Sequence, residues 1–161
     1  MDQVEERDRV VELVDIPQQD VGAPMPVLLA SGGCLVIAYL LVTGDNDERE
    51  FAVVEFDLVY AHYFGSPNDE ALSGHPLYAR GLRHYAAYEV FDSSWIRSLE
   101  RMNRVHPRHD PRRYDDRHHY VFTFHDNTFE CVARGIRKVA CFPYGEQSML
   151  EEITKVFRRS S

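Results

Sequence analysis

The chain has 161 residues, with 18 Lys+Arg against 26 Asp+Glu, a formal charge of −8 and an apolar fraction of 44%. This length fits one domain, residues 1–161, around one sizeable core, and the balance of apolar to charged residues excludes global disorder. The net negative charge argues against a duplex nucleic-acid partner, whose affinity rests on neutralised phosphates.

The charge is split along the chain. Residues 1–80 hold 15 acids and 4 bases, and residues 81–161 hold 11 acids and 14 bases. Cys34, Cys131 and Cys141 cannot all pair within one chain, and none forms C-x-x-C. That usage predicts free thiols and a cytoplasmic location, as does an N-terminus, MDQVEERDRVVEL, without a signal-peptide apolar core.

Residues 1–20 read as an acidic, partly mobile lead-in, and Pro17 blocks a helix from continuing. Val21 to Thr43 is uncharged and long enough to span a bilayer. It is split by Gly32-Gly33, opened by Pro24 and Pro26 and flanked by acids, so it predicts a β-hairpin and no membrane span. After a polar turn at Gly44 to Glu50, FAVVEFDLVYAHYFG predicts a strand. Ala52, Val54, Phe56, Leu58, Tyr60, His62 and Phe64 share its apolar face at period two. Gly65 to Leu82 is the longest irregular stretch, with a short helix expected over Asp69 to Leu72.

Tyr85 to Asp92 reads as a strand, on which Glu89 shares a face with Tyr85, Ala87 and Phe91; such a carboxylate serves as an acid or base when desolvated, but the expected reading is a pair with an arginine. A helix capped by Asp92, Ser93 or Ser94 then runs to about Val105. Trp95, Leu99, Met102 and His106 form its expected core-facing stripe, and Pro107 stops it. His106 to His119 is a polar connection. Tyr120 to Ala133 predicts a hairpin turning at Asp126-Asn127, and Ile136 to Phe142 a further short strand. A closing helix begins near Ser148, where Ser148 and Glu151 have the spacing of a capping box. The fold class that follows is α+β: an antiparallel, mostly meandering sheet covered by two amphipathic helices, with a sheet curled into a half-barrel as a variant.

The segments DVGAPMPVLLA, PNDEALSGHPLYARGL, SSWIRSLERMNRVHP and FTFHDNTFECVA resemble an uncharacterised family of small bacterial proteins, over residues 16 to 134. The resemblance implies a bacterial origin and a stand-alone domain, and carries no activity to this chain.

No catalytic motif is complete. Zinc signatures and G-x-S-x-G are absent, and the Gly32-Gly33 pair precedes no helix. His118 and His119 point to opposite faces of a regular strand. His119 and His125 stand roughly 20 Å apart along it, too far to share a metal. Cys34 and Cys131 read as small strand hydrophobes, and His125-Asp126 as turn chemistry.

Two function classes remain. The first is a non-enzymatic module that contacts a protein partner through charged loops. Arg101, Arg104, Arg108 and Arg112 are its binding residues, within a run from Arg97 to Arg117 of seven bases and four acids. The second is a small enzyme or ligand binder built on the 65–82 loop. His75 with Asp69 or Glu70 would do acid–base work and Arg80 would hold an anionic group. No cofactor is expected under the first class, and under the second a divalent metal on His62, His75 and His106 is the alternative. Convergence of His62, His75, Arg80 and His106 on a concave pocket favours the second class, and dispersal favours the first. The sequence leaves the oligomeric state open.

Overall fold

The computed structural model describes residues 4–42, 48–145 and 148–160, the side chain of Ser160 excepted. Among the described residues there are seven strands: β1 (Arg9–Glu12), β2 (Val27–Ser31), β3 (Cys34–Leu40), β4 (Glu50–Gly65), β5 (Ala87–Phe91), β6 (His118–Thr123) and β7 (Thr128–Pro143). Helix α1 spans Ser94–Asn103 and helix α2 spans Met149–Ser160. The strands form one antiparallel sheet in the order β1-β5-β6-β7-β4-β3-β2, which does not close. The uncharged Val21 to Thr43 stretch supplies β2 and β3, joined by Gly32-Gly33. Both glycines have positive φ, 56° and 90°, as a two-residue primed hairpin turn requires. Among the described residues no helix is long and apolar enough to cross a membrane. The polar turn expected at Gly44 to Glu50 lies largely outside the described residues.

The lead-in is not separate from the domain. Arg9–Glu12 adds β1 to the edge of β5, and Asp8 is buried. Beyond β1 the chain crosses to the other end of the sheet. Leu13 N donates to Ala87 O (2.8 Å), and Gln19 bridges to Leu41. The fully buried Gln19 amide donates to Thr123 O (2.6 Å) and Ala86 O (3.3 Å), fastening the ends of β3 and β6 together.

β4 and β7 pair along their 16-residue lengths and form the spine. Two bulges interrupt the ladder: Arg137 is extra on β7, and Tyr60 is extra on β4. Bulges bend and twist a ribbon, and here the two halves of the sheet fold over one another. Tyr39 on β3 meets Phe122 on β6 at 6.1 Å between ring centroids. Three strand spacings separate those strands, roughly 14 Å in a flat sheet. Leu35, Ile37, Val54, Phe56, Phe122, Phe129 and Cys131 fill the space between the halves.

The outer faces are covered differently. Met149, Ile153 and Val156 of α2 lie on Val36, Ala38, Leu40, Phe51 and Val53. Over the other half, Leu72, Leu77 and Leu82 of the long loop seal Tyr88, Val90 and Val121. That loop contains 3-10 turns at Leu72–Gly74 and Tyr78–Arg80 rather than a helix over Asp69 to Leu72.

Two expected faces are corrected. The period-two face of β4 breaks at Leu58, whose φ is 45°: Leu58 and Tyr60 are exposed, while Val59 packs on the core. His62 and Phe64 pair with Cys131 and Phe129 but sit at the exposed rim. Helix α1 turns Ser94 and Ser98 inward, leaving Leu99 half-buried and Met102 61% exposed; Val105 and His106, beyond its end, are also exposed. Its first turn is pinned from outside. Ser93 Oγ accepts from Ile96 N, and the buried Asp8 carboxylate accepts from Ser94 N and Ser94 Oγ, both at 2.6 Å.

Candidate functional site

Strand alternation puts His119 and Glu130 on the outer face of the second half-sheet, opposite the aromatic core. They lie under α1 and the long loop. Glu130 is 4% exposed and accepts from two imidazoles: His75 Nε2 at 3.0 Å and His119 Nε2 at 2.9 Å. His75 Nδ1 accepts from Leu77 N (3.1 Å), which assigns its ring proton to the Nε2 facing Glu130. Burial pushes the Glu130 carboxyl up, but the donors from His119 and His75 outweigh it and hold the pKa at about 2. His119 Nδ1 lies 2.9 Å from Ser93 Oγ, and its ring meets Trp95 edge-on.

Ser93, His119 and Glu130 thus have the side-chain types of a hydrolase triad. The surroundings do not suit that chemistry. Ser93 is buried and caps α1, and the adjoining cavity of about 20 Å3 has room for a water molecule, not a substrate. The network joins loop, helix and sheet.

A second cluster lies at the mouth of the long loop. Asp69 Oδ2 accepts from the Tyr85 hydroxyl and from His125 Nδ1 (2.7 Å), and Oδ1 accepts from Glu70 N (2.7 Å). Its carboxyl is held below the usual range, first by the Tyr85 hydrogen bond, and the same bond pushes the Tyr85 phenol up to about 12. Tyr85 has φ 56°, a strained value for a residue with a side chain, and lines a cavity of about 560 Å3 with Ile16, Gln19, Arg83 and His84. His125 is therefore oriented by a carboxylate rather than being turn chemistry alone.

The residues expected to act together are dispersed. His75 is buried on Glu130, Asp69 faces Tyr85 and His125, and Glu70 and Arg80 are exposed. His62 is exposed on β4 and His106 beyond α1. Among the described residues no three His, Cys, Asp or Glu side chains are grouped to hold a metal ion. Glu89 pairs with His118 Nδ1 (2.6 Å), not with an arginine.

Arg101, Arg104, Arg108 and Arg112 are all exposed. Arg104 forks onto Glu100 (2.8 and 3.0 Å), and Arg112 onto Asp110 (3.0 and 3.1 Å). Arg117 differs from them. Its guanidinium lies between the rings of Tyr60 and Tyr114, 3.3 and 3.7 Å from their centroids.

The surface around Tyr60 combines two unfinished elements. The pairing of β3 with β4 runs only from Phe51 to Phe56, and Val59 N donates to Gly33 O (2.7 Å). From Tyr60 to Gly65 the backbone of β4 pairs with β7 alone among the described residues. That stretch, like Leu58 and Val59 before it, contains no Asp, Glu, Lys or Arg, and Tyr60, Tyr63 and Phe64 are exposed. Beside it, Tyr60, Leu99, Met102, Tyr114 and Arg117 line a groove of about 360 Å3. Other free edges are blunted. β1 carries Arg9 and Glu12, the matching stretch of β7 carries Arg137 and Lys138, and β2 has five residues and is mostly half-buried. Sequence reading missed this edge because its apolar residues were assigned to a core face. The signal available was the length of β4, which exceeds β3 by nine residues. No protein-family model, curated protein or solved structure matches the chain.

Proposed function

We propose that the protein is a binding module that takes one extended segment of a partner protein onto the free edge of β4. The observation that carries this reading is the one-sided pairing of Tyr60–Gly65 in an edge without charge. Unpaired strand edges bind other chains through main-chain hydrogen bonds, and natural proteins guard such edges unless they are used. The half-buried Leu99 and the exposed Met102 beside it supply apolar area for partner side chains. The reading keeps the partner-binding class and moves its centre from the charged loops to this edge. Dispersal of His62, His75, Arg80 and His106 supports it over an active site in the 65–82 loop.

A photo-crosslinking residue at Tyr63, compared with one at Leu150 on α2, tests the proposal in cells of the source. A single partner captured from Tyr63 is then purified and its affinity measured. Ala61→Pro and Tyr63→Lys are expected to weaken binding by at least about tenfold, and Leu150→Lys to leave it unchanged. Equal capture from both positions, self-association at Tyr63, or full affinity in both edge variants refutes the reading.

The Asp69–His125–Tyr85 cluster beside the 560 Å3 cavity favours a second reading, a small-ligand site. It predicts small-molecule protection that Tyr85→Phe weakens and edge variants leave untouched.

A further inference from the structure

We infer that Arg117 is the centre of an oxyanion-binding site, taking a phosphoryl or carboxylate group. This does not depend on the partner proposal, because a small anion is enough to test it.

Arg117 also lines a second groove, of about 480 Å3, and each of the other three arginines there has a carboxylate: Arg104 on Glu100, and Arg7 and Arg97 sharing Glu5. No carboxylate, carbonyl or hydroxyl of the described residues accepts a hydrogen bond from Arg117. Its Nε–H is buried without a partner. A guanidinium has five N–H donors in one plane, and leaving a buried donor unpaired costs free energy.

Arg117 is also held in place. Tyr60 and Tyr114 pack on the guanidinium, with ring centroids 3.3 and 3.7 Å away, and the part-buried side chain lines the grooves on this surface. A fork fixed in this way matches the two oxygens of a carboxylate or phosphoryl group, and less conformational entropy is lost on binding. Tyr60 is the bulge residue of β4 and Tyr114 ends the 3-10 turn Pro111–Tyr114, so the clamp joins two separate elements.

The clamp stands between two grooves, of about 480 and 360 Å3. Arg7, Arg97 and Arg104 reach the larger one, and Arg97 also has a buried Nε–H without a partner. Asp92, Glu100 and Asp115 line it too, Glu5 pairs with Arg7 and Arg97, and Asp8 with Arg97, so what sets Arg117 apart is the lack of a carboxylate partner among the described residues and not a surplus of positive charge.

Isotope-labelled protein is titrated with inorganic phosphate, and separately with acetate, at constant ionic strength set with chloride. The readout is the Arg117 Nε–H resonance and the backbone amides of Tyr114 and Asp115. A saturable shift with either anion is expected. Response to phosphate alone identifies a phosphoryl site, and response to acetate alone a carboxylate site. Arg117→Lys keeps the charge but loses the fork, and is expected to weaken binding at least about tenfold by the same amides. Tyr60→Leu keeps the guanidinium and removes one face of the clamp, and is expected to weaken binding severalfold, which keeps the comparison available if Arg117→Lys fails to fold. Arg158→Gln on α2 is expected to bind as the parent does. No saturable shift of the parent with either anion, or parent affinity in both Arg117→Lys and Tyr60→Leu, overturns the inference.

Discussion

Glu130 is a carboxylate in a buried setting whose charge is kept by two imidazole donors. Its pKa in the folded protein, about 2, lies below the ordinary value of 4.5. A depressed carboxyl stabilises the fold above its unfolded pKa and loses that contribution as pH falls through the folded one. Glu130 therefore contributes fully above about pH 5, and the contribution, about 3 kcal/mol, fades from roughly pH 4.5 toward 2. Urea midpoints measured across this range are expected to fall in the parent. In Glu130→Gln they start lower and show a flatter acid limb, and an acid limb identical to the parent's contradicts the assignment. Much of this was visible one residue at a time. Alternation predicted that His118 and His119 part to opposite faces, and they do, to Glu89 and Glu130. That His75 comes to Glu130 from 55 positions away was not visible, because strand parity says nothing about which loop covers a face.

Helix α1 shows how an element can be placed correctly in sequence and still turned wrongly. Its bounds follow from the Ser93 cap and from Pro107 beyond its end. Of the stripe Trp95, Leu99, Met102 and His106 expected to face the core, Trp95 packs edge-on against His119, but Met102 and His106 are exposed, and Ser94 and Ser98 turn inward. The rotation is set by Asp8, which accepts from Ser94 twice and also from Glu5 N (2.8 Å). Asp8→Ala leaves those donors without an acceptor and is expected to cost about 1–3 kcal/mol, read as a lowered urea midpoint. Met102→Glu is expected to change stability by less than about 0.5 kcal/mol, because the side chain is already mostly in water. A large loss in Met102→Glu shows instead that the stripe is packed. The same logic holds for β4, where the positive φ of Leu58 breaks the alternating pattern and leaves Leu58 and the bulge residue Tyr60 in solvent.

At the scale of the molecule, the fold depends on the two half-sheets meeting through their aromatic side chains. Phe122 touches Tyr39, Phe56, Phe124 and Phe129, so it belongs to both halves. Phe122→Ala is expected to cost about 3–5 kcal/mol, with calorimetry showing one cooperative transition at lower temperature. Two separate transitions in that variant mean that the halves are independent units.

Read by itself, the amino-acid order determined the class of the fold, the Gly32-Gly33 hairpin, most strand positions and both helices. Those follow from side-chain periodicity, caps and turn chemistry, which act over a few residues. Only the tertiary structure decided that Arg9–Glu12 of the acidic lead-in joins the sheet, that α1 presents its serines inward, and that Arg117 lies between Tyr60 and Tyr114. Each of these depends on groups tens of positions apart meeting in space. Such meetings are set by how far the bulged ribbon bends, a property of the packed molecule and not of any local stretch of it.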